Sequence, residues 1–112
     1  MTNIPWTKEF PAAITICDAA GVILEMNDLA ATAFEKDGGQ GLVGTSLLDC
    51  HPEPSRTKVQ KLLACGEINA YTIEKGGAKK LIYQAPWHEN GEYRGLVEIA
   101  IPLPDLLPHF VR

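Results

Sequence analysis

Two short apolar runs open the chain, Ala-Ile-Thr-Ile-Cys over 13–17 and Val-Ile-Leu-Glu-Met over 22–26, with Asp18-Ala19-Ala20-Gly21 between them. Aspartate supplies a turn with a side-chain acceptor and glycine supplies positive φ, so the stretch predicts a β-hairpin. The period then changes. Leu29, Ala30, Ala33 and Phe34 recur at the three-and-four spacing of a helix face. Asn27 stands where a side-chain oxygen can cap that helix, and Asp28 suits the positive end of its dipole. Lys-Asp-Gly-Gly-Gln-Gly over 36–41 is too glycine-rich to continue it, and 42–48 reads as an irregular or one-turn segment.

Pro52 and Pro54 set the entry to a second helix, since proline is tolerated in a first turn and not deeper. That helix is expected from about Ser55 to Cys65, with Val59, Leu62 and Leu63 as its apolar face and Gly66 as its stop. Three strands follow at about 69–75, 79–88 and 92–101, joined by Gly76-Gly77 and Asn90-Gly91, the latter a strong hairpin signal. Pro102, Pro104 and Pro108 are then expected to end regular structure. The order strand, strand, helices and three strands predicts an α+β domain, a five-stranded antiparallel sheet with short helices packed on one face. The other face should meet solvent, the terminal segments or a partner. The chain divides into an amphipathic N-terminal segment (1–11), the domain (12–101) and a proline-rich tail (102–112).

Composition narrows the classes. At 112 residues, 46% of them hydrophobic, the chain builds one modest core and no second domain. Ten Lys and Arg against fourteen Asp and Glu leave a net charge of −4, the wrong balance for a nucleic-acid partner. Cys17, Cys50 and Cys65 have no CxxC spacing and cannot all pair within one chain, which points to reduced thiols and a cytoplasmic setting. The N-terminus has no apolar leader, and no apolar stretch approaches the ~20 residues of a membrane helix, so no membrane partner is expected.

Three segments, in order and spacing, resemble the PAS sensor domains: Asp18-x-x-Gly21-x-Ile23-x-x-x-Asn27, Gly44 ahead of Leu47-Leu48-Asp49-x-His51-Pro52, and Asn90-Gly91-Glu92-x-x-Gly95 before the last strand. The resemblance covers residues 10 to 101. It implies the PAS fold, which agrees with the architecture read from the pattern. It also implies a domain that senses a small molecule, light or redox state, or that mediates dimerisation, with any ligand held between the helices and the inner sheet face. Most relatives end in an Asp-containing motif leading into a signalling helix, and here Ile101-Pro102-Leu103-Pro104 stands instead. A stand-alone sensor domain, passing its signal by binding another protein, is the expectation.

Among candidate chemical groups, Cys50-His51 lacks an identifiable third residue to orient the imidazole, and neighbours in sequence diverge. No enzyme activity is expected, and catalysis is assigned to no residue. Some PAS sensors take a haem ligand from this helical region, so His51 in an apolar pocket of Phe34, Leu48, Val59, Leu62 and Leu63 is a candidate axial ligand. The plain alternative is a histidine that caps the following helix or meets a backbone carbonyl. The Asn-Cys-Arg triplet of flavin photosensors is absent. The three cysteines, His51 and His88 lack paired ligand spacing, so no metal site is expected.

Tyr71, Tyr83 and Trp87 fall on odd positions of adjoining strands and are expected to share a face. They serve there as ligand contacts, core filler or a dimer contact. Trp6, Phe10 and Pro11 form an apolar N-terminal segment suited to covering the outer sheet face of its own or a second subunit. The leading reading is a small-molecule sensor or homodimeric adapter acting with a signalling partner. The alternatives are a haem-based gas or redox sensor through His51, and a ligand-free dimerisation module.

Overall fold

The computed structural model describes residues 4–112, together with all of their side chains except that of Cys50. Five strands, β1 (Ala13–Asp18), β2 (Ile23–Met26), β3 (Asn69–Lys75), β4 (Ala78–Glu89) and β5 (Glu92–Leu103), form one sheet in the order β2-β1-β5-β4-β3. Every pairing is antiparallel. Between β2 and β3 the chain forms α1 (Asp28–Ala33), 3₁₀ turns over Glu35–Asp37, Gly39–Leu42 and Leu47–Cys50, and α2 (Ser55–Cys65).

The turns follow local chemistry. Asp18 Oδ1 accepts from the backbone N–H of Ala20 and of Val22, and Gly21 closes the first hairpin at φ +87°. The Asn90-Gly91 turn has both residues at positive φ, the geometry whose twist matches paired strands. Asn27 does more than cap α1. Its side-chain oxygen accepts from Ala30 N–H and Ile14 N–H, and its amide donates to the carbonyls of Ala12 and Thr7. One buried amide thus fastens α1, β1 and the N-terminal segment, where Lys8 also pairs with Asp28 at 3.2 Å.

Expected and observed bounds agree for α2 and β3. The expected end at Pro102 does not hold, because β5 runs on to Leu103 with Pro102 opposite Lys80. Pairing with β1 has already stopped at Ala13 opposite Ala100. The proline therefore stands where β5 has an open side, and no ladder donor is lost. The expected apolar face of α1 also shrinks. In a helix of six residues only Ala30 is buried and Phe34 half-buried just beyond its end, while Leu29 and Ala33 are exposed.

The core is Cys17, Ile23, Met26, Ala30, Leu47, Val59, Leu62 and Leu96, with Phe34, Leu48 and Leu63 packed against it. It joins β1, β2, α1, α2 and the near end of β5. At the same end the backbones of β5 and β1 approach so closely that a Cβ on Gly95 would collide with the carbonyl oxygen of Cys17. Trp87 donates its indole N–H to that same oxygen at 2.9 Å. No helix among the described residues is long and apolar enough to cross a membrane.

Candidate functional site

Away from the core the helices stop covering the inner sheet face, and two adjoining hollows remain. One, of about 250 Å³, is bounded by His51, Pro54, Ser55, Lys58, Val59, Tyr71 and Gln84. The other, of about 220 Å³, lies between Ala33 and Phe34 at the end of α1 and Tyr71, Ile73, Ile82 and Glu98 of the sheet. Tyr71 borders both. Pairing of Tyr71 with Ile82 and of Gln84 with Glu98 puts these residues on one face of three strands.

The floor is polar. Asn69 donates to Gln84 Oε1 at 2.8 Å, Gln84 donates to Glu98 Oε2 at 2.7 Å, and His51 Nε2 stands 3.6 Å from the same oxygen. The other ring nitrogen, Nδ1, lies 2.9 Å from the Leu47 carbonyl. Both ring nitrogens face acceptors, so the doubly protonated imidazolium satisfies the site and a neutral ring leaves one contact unmet. The Glu98 carboxylate beside it holds the His51 pKa above its usual 6.5, against the burial that would lower it. Burial alone would push the Glu98 carboxyl up. The paired His51 ring and the hydrogen bond from Gln84 outweigh it and hold the group below its usual 4.5. The result is a charge pair with little solvent access, fixing the segment before α2 to β5.

The expected site residues separate into three groups. Phe34, His51, Val59 and Tyr71 border the hollows. Leu48, Leu62 and Leu63 belong to the core or pack against it. The expected common face of Tyr71, Tyr83 and Trp87 is corrected by the register: Ala70 and not Tyr71 lies opposite Tyr83, so Tyr83 and Trp87 stand on the outer face and Tyr71 on the inner one. The Trp87 N–H is committed to the Cys17 carbonyl. For the Cys50-His51 pair, the Cys50 side chain lies outside the described residues.

Haem does not fit this arrangement. One imidazole nitrogen that an iron would need faces a carboxylate in an ion pair, and the other faces the Leu47 carbonyl.

Gln84, Glu98 and Asn69 did not stand out in the sequence. The available signal was alternation: Ile82-x-Gln84 and Leu96-x-Glu98-x-Ala100 put one polar residue into otherwise apolar inward series.

No family model and no curated protein sequence matches the chain. Solved structures do. The Aer2 receptor of Vibrio cholerae, described as a dual PAS-heme oxygen sensor, superposes with TM-score 0.59 at 15% identity, over 83% of this chain and 95% of that one. A PAS domain of an HTR-like protein from Haloarcula marismortui gives TM-score 0.60 at 18% identity, over 88% and 86%. The PAS domain of BvgS from Bordetella pertussis gives 0.62 at 17% identity, over 88% and 82%. The chain has the PAS fold, as its turn motifs and strand order led one to expect.

Proposed function

With the PAS fold as premise, we propose that the chain is a sensor domain that takes a small molecule into the hollows between the helices and the inner sheet face. It passes occupancy on by associating with a second copy of itself or with a signalling protein. The observation carrying this reading is the polar floor. His51 and Gln84 border one hollow and Glu98 the other, so a bonded polar seam runs beneath both, while Pro54, Val59, Phe34, Tyr71, Ile73 and Ile82 supply apolar and aromatic wall beside Ser55 and Lys58. The hollows on either side of Tyr71 together reach the size of a metabolite pocket. The sensor proteins among the structural neighbours support the same reading. No bond-making step belongs to it; the signal is a shift between conformers that bind the ligand unequally.

Thermal unfolding against a panel of small polar metabolites tests the proposal. A binder raises the melting temperature, because it stabilises the native state by mass action. Gln84→Leu, which removes the link between Asn69 and Glu98, abolishes that rise while the protein stays folded. A binder that raises the melting temperature of wild type and Gln84→Leu equally rules the floor out as the site.

A further inference from the structure

We propose that β3 is an association edge, pairing antiparallel with β3 of a second copy of this chain about a two-fold axis at Tyr71. The inference deepens the reading that the chain associates with a second copy, and it is independent of the ligand. β3 ends the sheet, and six of its seven residues are exposed.

Its hydrogen-bonding groups follow from the hairpin. A two-residue loop, Gly76-Gly77, makes Lys75 and Ala78 the hydrogen-bonded closing pair. Bonded and non-bonded pairs alternate from there, so Asn69, Tyr71 and Ile73 turn their backbone groups to β4. Ala70, Thr72 and Glu74 turn theirs away from the sheet.

Proteins ordinarily blunt such an edge with proline, a bulge or charge. The charged residues of β3, Glu74 and Lys75, stand at its hairpin end; from Ile68 to Ile73 there is no proline and no charged residue, and the β3–β4 register is unbroken. The opposite edge, β2, has four residues, one of them Glu25, and its register with β1 shifts between Ile16 and Cys17. β3 is the edge left open.

Charge selects both the occupant and the register. Self-pairing about Tyr71 puts Glu67 opposite Lys75 of the second copy, twice, because the two residues stand four positions to either side of the axis. Axes at Ala70 or Thr72 set both of them against uncharged positions. About Tyr71, Ala70 and Thr72 exchange backbone bonds with Thr72 and Ala70 of the second copy. The two tyrosines form the central non-bonded pair, where cross-strand side chains approach most closely. The interface is isologous and closes on itself, so it yields a dimer and no fibre. Tyr71 also borders both hollows, so the dimer axis passes beside the ligand site.

Sedimentation equilibrium on the full chain tests the edge. Wild type is expected at twice the chain mass and Thr72→Pro at the single-chain mass, since that proline removes an outward N–H and spares the bonds to β4. Lys75→Glu and Glu67→Lys are each expected to weaken the dimer about tenfold, through two lost pairs, and the double variant to restore it. Circular dichroism checks that Thr72→Pro is folded; if it is not, the charge-swap series decides. A wild type that stays at the single-chain mass up to its solubility limit overturns the edge and the second-copy reading together. A wild-type dimer that neither Thr72→Pro nor the charge swaps weaken overturns the edge alone.

Discussion

The two ends of the sheet are built differently. Around Cys17, Ile23, Leu62 and Leu96 the strands are covered by α1, α2 and the turn at Leu47, and side chains are removed from water almost completely. Around Tyr71 and Ile73 of β3 and Ile101 at the far end of β5 the sheet runs on uncovered, with each of these residues more than a third exposed. The covered end holds the fold. The open end contributes little to stability, and its surface is free to be covered by something else. Between them His51 and Glu98 form a polar seam, where apolar packing stops and a cavity begins.

The contrast can be broken most sharply at Gly95. Alanine there brings a Cβ onto the β1 backbone, and since neither strand can retreat without losing its ladder, a loss of about 4 kcal/mol or outright failure to fold is expected on denaturant unfolding. Leu62→Ala should cost about 3 kcal/mol, because the cavity forms inside a closed core. Asn27→Ala removes a cap and four other bonds of one buried amide, and about 2 kcal/mol is the expected loss.

The seam comes next, at about 1 kcal/mol, and it should depend on pH. The His51 pKa is raised above 6.5, so its stabilisation is complete below that value and is lost as pH rises through the raised one. The Glu98 pKa is lowered beneath 4.5, so its contribution is complete above that value and is lost as pH falls through the lowered one. Melting temperatures should therefore plateau between about pH 4.5 and 6.5 and decline on the alkaline side, with His51→Gln removing the alkaline slope. A slope that survives in His51→Gln assigns it to another group. The smallest effect belongs to the open end, where Ile73→Ala should cost under about 0.5 kcal/mol in the single chain.

The covered end was legible in the sequence because its signals are local. Asp18 and Gly21 mark a turn, Asn27 a cap, Pro54 and Gly66 the limits of a helix, and Asn90-Gly91 a hairpin. Each acts within a few residues, so spacing alone reveals it. The site was legible only in part, because its geometry depends on register. Whether Tyr71 shares a face with Tyr83 is decided by the two-residue loop at Gly76-Gly77, which sets Tyr71 against Ile82. The pairing of His51 with Glu98 joins residues 47 positions apart, and nothing near either one announces it. Pro102 misled for the opposite reason: proline forbids a central strand, but here the neighbouring strand has already ended.

Native mass spectrometry of the freshly purified protein addresses the sensor reading most directly. The expected result is a folded chain carrying the added mass of a small molecule, retained by wild type and absent from Gln84→Leu. Bare chain mass in wild type, with no metabolite of the panel raising its melting temperature, would contradict the ligand site and leave a domain that acts through its surfaces alone.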